Sequence, residues 1–211
     1  MDSKNLCEYG FNFKEESFTI IVPENESSTC NFFAYQSYYY EARNKSMLNL
    51  FAFNKDFKIK NLNVPGPCGK LTFMKITLHE SSFDKDKYID NNNKFVNTDE
   101  LFNHDFWKDE AKLYESDKLI LETKYKDPAK KLTNITDYFM ILETDKMKIR
   151  KDKVYALIAE FGPNPEYNYL YHNSKESGSY TINENLRVTY ASPSSPLVNF
   201  CILNGFDYKL E

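Results

Sequence analysis

The feature that most constrains this chain is an alternation of period two. Aromatic, aliphatic and β-branched residues take every second position in run after run, and Gly, Pro and Asn separate the runs. Lys70–His79 is the clearest case, with Thr72, Met74, Ile76 and Leu78 on one face of an extended segment. The same reading gives strands at Phe18–Val22, Asn31–Tyr40, Met47–Phe53 and Phe57–Asn61 in the first part of the chain. In the second part it gives Lys118–Thr123, Tyr138–Thr144, Val154–Phe161, Tyr167–His172, Leu186–Ala191 and Leu197–Leu203. Pro65, Gly66, Pro67 and Gly69 mark a stiff turn, and Pro163, Pro165, Pro193 and Pro196 mark two more, since proline fixes φ and removes a ladder donor. Many short strands with frequent turns predict an all-β fold, mainly an antiparallel β-sandwich of Greek-key-like topology.

One short α-helix is expected near residues 98–114. Asn97 stands as cap with Glu100 three positions on, and Leu101, Phe102, Phe106, Leu113 and Tyr114 supply a buried stripe. Residues 84–94 read as a polar loop carrying Asp84, Asp86, Asp90 and three consecutive asparagines. The chain of 211 residues is long enough to bury a sizeable core, and residues 1–211 are read as a single domain.

Composition limits the function classes. A net charge of −4 and a pI near 5.5 argue against a dedicated nucleic-acid binder. No uninterrupted apolar stretch approaches the roughly 18 residues a membrane helix needs, so no membrane insertion is expected. All but three of the 27 basic residues are lysine, and Asn, Ile, Phe and Tyr are abundant while Gly is scarce. That combination is the signature of AT-rich coding, which accounts for part of the tyrosine excess.

Cys7, Cys30, Cys68 and Cys201 are even in number and contain no CxxC pair, which argues for disulfides over a zinc or thioredoxin-like site. Four cysteines permit three pairings; Cys7–Cys30 with Cys68–Cys201 is the favoured one. No apolar leader follows Met1, and Leu210–Glu211 match a common cloning-site remnant, so an excised ectodomain is expected, with an extracellular location, secreted or at the cell surface. Asn25, Asn44 and Asn134 open glycosylation sequons, but 22 Asn and 26 Ser plus Thr produce about three by chance, so they carry little weight.

No catalytic signature emerges. There is no GxGxxG, no phosphate loop and no GxSxG elbow, and His79, His104 and His172 lack metal-ligand spacing. The acidic loop fails as an EF-hand, because Ile89 replaces the turn glycine and Phe95 stands where the bidentate glutamate belongs. No cofactor, no metal site and no enzymatic activity are expected.

Two segments are candidate binding surfaces. Tyr167, Tyr169 and Tyr171 recur at i, i+2 and i+4, which puts three rings on one face of a strand. Tyrosine buries a rigid ring at low entropic cost and keeps a polar tip, so such a ladder anchors protein partners or stacks on sugars. The segment Lys146–Lys153 carries Lys148 and Arg150 within a basic run; it either receives an acidic partner or protects a sheet edge from aggregation. These observations predict a non-catalytic binding protein that engages another protein in host interaction, adhesion or immune modulation. A glycan-binding module and a small-molecule carrier are the alternatives.

Overall fold

A computed structural model describes residues 19–21, 28–31, 38–41, 46–65, 67–69, 73–116, 119–120, 139–161, 168–174, 177–193, 200–203 and 205–211. The strands are β1 (Thr19–Ile21), β2 (Ser28–Asn31), β3 (Tyr38–Glu41), β4 (Ser46–Phe53), β5 (Phe57–Pro65), β6 (Pro67–Gly69), β7 (Phe73–Asp84) and β8 (Ala111–Glu115). They continue with β9 (Leu119–Ile120), β10 (Phe139–Ile149), β11 (Lys153–Phe161), β12 (Asn168–Ser174), β13 (Gly178–Thr181), β14 (Arg187–Ala191), β15 (Phe200–Cys201) and β16 (Gly205–Leu210).

They form three antiparallel sheets. A front sheet runs β1-β2-β16-β5-β10, and a back sheet runs β13-β14-β4-β11-β7-β8 with β9 also on β7. A small sheet runs β15-β12-β3, with β6 also on β12. The chain passes repeatedly between front and back sheets, so sheet neighbours are seldom neighbours in sequence. The expected antiparallel β-sandwich is what the chain forms.

Two apolar clusters explain its stability. The main core lies between the two large sheets: Phe57, Ile59, Leu62, Leu142, Ile149, Phe206 and Tyr208 from the front meet Phe51, Phe53, Ile76, Leu78, Tyr155, Leu157 and Val188 from the back. Its aromatic centre combines edge contacts, with Phe53 and Phe57 rings 4.9 Å apart and Phe206 and Tyr208 5.5 Å apart, with a stacked pair, Phe57 and Phe206, at 5.6 Å. A second cluster covers the other face of the back sheet. There Leu48, Leu50, Val154, Ala156 and Ile158 lie under Tyr88, Leu101 and Trp107, which come from the connection between β7 and β8.

The central strands β4 and β11 are thus buried on both faces, which is why Met47–Phe53 and Val154–Ala159 are buried without a break. Asn49 is the polar exception in β4, 1% exposed. Its amide donates to Tyr190 Oη at 3.3 Å and its carbonyl oxygen accepts from Ile202 N at 2.7 Å.

The expected α-helix near 98–114 is not present. The segment holds two 3-10 turns, Glu100–Phe102 and His104–Lys108, followed by strand β8. Asn97 adopts a left-handed φ of 54°, and Asn103 is extended at φ −82°, ψ 120°, where its side chain accepts from Asp105 N at 3.0 Å. Tertiary burial overrides the helical pattern. Leu101 and Trp107 are fully buried in the second cluster, and Trp107 Nε1 donates to the Leu101 carbonyl at 2.7 Å, a contact that closes a compact cap. Leu113 and Tyr114, assigned to the helix stripe, sit on β8 and pack against the main core instead.

The polar stretch 84–94 belongs to the same cap. It folds as a 3-10 turn at Lys85–Lys87, a buried Tyr88, and a turn closed by an Ile89–Phe95 bridge. Asp90 Oδ1 accepts from Asn92 N and Lys94 N at 2.9 and 2.8 Å inside that turn. Of the segment 64–69, expected as a stiff turn, Val64 and Pro65 end β5 and Pro67–Gly69 form β6; Gly66 lies outside the described residues. The sequence reading did not predict β13 or β16.

Candidate functional site

The tyrosine stripe lies on the small sheet. Tyr169 and Tyr171 are on β12, and Tyr167 lies outside the described residues. Tyr171 is in register with Tyr39 of β3, and Tyr169 with Glu41 on one flank and Cys68 on the other. Directly opposed residues of an antiparallel pair share a face. The topology therefore gathers Tyr39, Tyr169 and Tyr171 on one face, while Tyr40 opposes Leu170 on the other. Tyr39 was part of the Asn31–Tyr40 strand in the sequence, but only the pairing of β3 with β12 shows that it joins the stripe.

The basic run divides into groups with different roles. β10 is the outermost strand of the front sheet, bonded to β5 alone among the described strands. A bulge between Glu143 and Met147 interrupts its register, and Asp145 and Lys146 take left-handed φ values of 49° and 60° there. Beyond the bulge Met147 and Ile149 point into the core and Lys148 is exposed. Lys148 Nζ lies 3.0 Å from Glu211 Oε2, and Lys58 Nζ lies 2.8 Å from Glu211 Oε1. These ammonium groups, Lys58 first, hold the Glu211 carboxyl below the ordinary glutamate range.

Arg150 turns toward the back sheet. Its guanidinium grips Glu80 through both Nε, at 3.1 Å, and Nη2. Tyr155 Oη donates to Glu80 Oε2 at 2.8 Å and accepts from Arg150 N at 2.6 Å. Burial is the chief reason that the Tyr155 phenol is pushed far above its ordinary pKa, so it stays protonated and keeps donating. The buried Lys153 ammonium lies 2.9 Å from Asp84 Oδ1 and 3.2 Å from the Ser82 carbonyl. Arg150 and Lys153 are therefore fastenings of the sandwich, whereas Lys148 faces outward.

Lys148 has company that the sequence did not reveal. Across the front sheet it opposes Lys58, and Lys58 in turn opposes Lys209 on β16, all three exposed. The only sequence trace of this row is the alternation of Lys58 and Lys60 with Phe57 and Ile59.

Cys30 lies on β2 opposite Phe206, Cys68 on β6 opposite Tyr169, and Cys201 on β15 opposite Asn173; Cys7 lies outside the described residues. So do Asn25, Asn44 and Asn134. Among the described residues no group of three His, Cys, Asp or Glu side chains is arranged to hold a metal ion. Burial lowers the pKa of both His79 and His104. His79 lies under the end of the cap, near the Glu110 and Trp107 carbonyls and Lys112, with a buried Nδ1 that has no hydrogen-bond partner. His104 Nε2 is 3.5 Å from Ser46 Oγ at the cap's other rim. No helix among the described residues is long and apolar enough to cross a membrane.

No family model matches the sequence, and no curated protein matches it. Two solved structures share a loose overall resemblance. One is the Clostridial cysteine protease Cwp84 after propeptide cleavage, at 12% identity and a TM-score of 0.44, with 90% of this chain and 41% of that chain covered. The other comprises the cysteine protease and lectin-like domains of Cwp84, a surface-layer-associated protein of Clostridium difficile, at 10% identity and a TM-score of 0.38, with 88% of this chain and 34% of that one covered. The chain thus spans less than half the length of either structure. Its own fold and surfaces define a class: an antiparallel β-sandwich with a capped back sheet, a tyrosine-bearing small sheet and a lysine row on its front.

Proposed function

We propose that this chain is a secreted or cell-surface β-sandwich that works by binding another protein, in adhesion, host interaction or immune modulation, and performs no catalysis itself. The observation that carries the reading is the register of the small sheet, which sets Tyr39, Tyr169 and Tyr171 side by side on one face. A cluster of tyrosines offers large rigid contact area with hydroxyl tips able to bond a partner. The even cysteine count without metal spacing supports the extracellular setting.

The test is retention of extracellular proteins on the immobilised full chain, compared with a Tyr169→Ala/Tyr171→Ala double variant and a Lys75→Ala control. Retention lost in the tyrosine variant and kept in the control supports the reading. Retention that survives the tyrosine variant overturns it. Binding to a glycan array that disappears with Tyr169→Ala assigns the same face to sugar instead.

A further inference from the structure

The lysine row on the front sheet is unusual in energetic terms. Lys148, Lys58 and Lys209 are direct register partners on three adjacent strands, β10, β5 and β16. Opposed residues have Cβ atoms only about 5 Å apart, and like charges set that way destabilise a sheet. Sandwich formation does not require them, since the core faces of the same strands carry Phe57, Ile149 and Tyr208.

The gap between two of these lysines is occupied. The Glu211 carboxylate bridges it, one oxygen on Lys58 and the other on Lys148. Glu211 serves here as a gauge: a planar carboxylate fits between the ammonium groups and bonds both. Lys209 is engaged in an interaction of its own and flanks the pair.

Past Lys60, which is also exposed, the next paired row has the opposite character. Glu143, Asn61 and Asp207 are register partners across the same three strands, and Asn61 Nδ2 donates to Asp207 Oδ2 at 2.7 Å. Lys58 and Asn61 are three positions apart on β5, which separates the rows by about 10 Å. A continuous polyanion laid over this face would meet the carboxylates of Glu143 and Asp207. A folded protein presenting a few acidic side chains in a short row would not.

We infer that Lys58 and Lys148, flanked by Lys209, form a docking row for acidic side chains of a protein partner, with Glu211 standing where a partner carboxylate binds. This rests on the protein-binding reading above and supplies the chemistry of its partner. It uses a different surface from the tyrosines, so the two fail separately.

The experiment is fluorescence anisotropy of a labelled hexaglutamate peptide with the full chain at about 20 and 150 mM salt, with heparin as the polyanion arm. Glu211→Gln should tighten peptide binding about threefold, the scale of one exposed ion pair. Lys58→Ala/Lys148→Ala should weaken it by at least about threefold, and higher salt should weaken wild-type binding. Lys75→Ala, on the back sheet, should leave it unchanged. Peptide binding indifferent to both Glu211→Gln and the double lysine variant overturns the inference. So does heparin binding that exceeds peptide binding and depends on the same two lysines. If the peptide arm fails while the tyrosine variant still loses its retained protein, only the docking row is refuted.

Discussion

Leu101→Ala tests the cap directly. Leu101 is fully buried in the second cluster, and its carbonyl receives the Trp107 indole N–H. The substitution leaves that backbone acceptor in place and removes three carbons from a site with no exposure. Transfer alone accounts for about 2.4 kcal/mol at roughly 0.8 kcal/mol per carbon. The cavity left between the cap and the Leu48, Leu50 and Ile158 surface brings the total to about 3–4 kcal/mol. Trp107 is the single tryptophan of the chain, so its fluorescence reports on the cap alone, while circular dichroism reports on the sheets. With a urea slope of about 2 kcal/mol per molar, the fluorescence midpoint should fall by about 1.5–2 M. A fall under about 0.5 M in the fluorescence midpoint would show that the cap does not pack on the back sheet as described.

Tyr155→Phe removes the hydroxyl that donates to Glu80 and accepts from Arg150 N; about 1–3 kcal/mol should be lost, read as a lower thermal midpoint with unchanged circular dichroism. Stability should depend on pH through His79 and His104, whose pKa values lie below 6.5 in the fold. The unfolded chain binds these protons more readily, so their contribution is complete above about pH 6.5 and is lost as pH falls through the lowered values. The thermal midpoint should drop between pH 7.5 and 5, and less so in His79→Asn; equal drops would remove His79 from the account. Intact mass after alkylation of the denatured chain, with and without prior reduction, should show four cysteines protected until reduction. Four cysteines alkylated without reduction would remove the disulfides and the extracellular setting together.

Much of the sandwich was legible because period two survives wherever one face is wet. β7 and β5 show it plainly, with Ile76 and Leu78 inward and Lys58 and Lys60 outward. β16 alternates Phe206 and Tyr208 with Asp207 and Lys209 in the same way, but over only six residues. The signal vanished in the cap. Leu101, Phe102 and Phe106 are spaced as a helix would need, yet Asn97 and Asn103 break the backbone there, and burial of Trp107 and Leu101 decides the outcome. Binding surfaces are legible only in half. One strand displays Tyr169 and Tyr171, or Lys148, but Tyr39 and Lys58 arrive from strands over 80 positions away, and register is not written in either segment.

A sheet with one wet face corrects its own register, because a slip by one residue turns its apolar set toward water. The back sheet has no such safeguard at β4, where both faces are apolar and a slipped strand would still bury its side chains. Asn49 supplies what hydrophobicity cannot. Its amide is bonded to Tyr190 Oη and Ile202 N, and a slipped register would pull it from both inside a dry interior. A single polar side chain thus serves as the alignment pin of a wall shared by two cores.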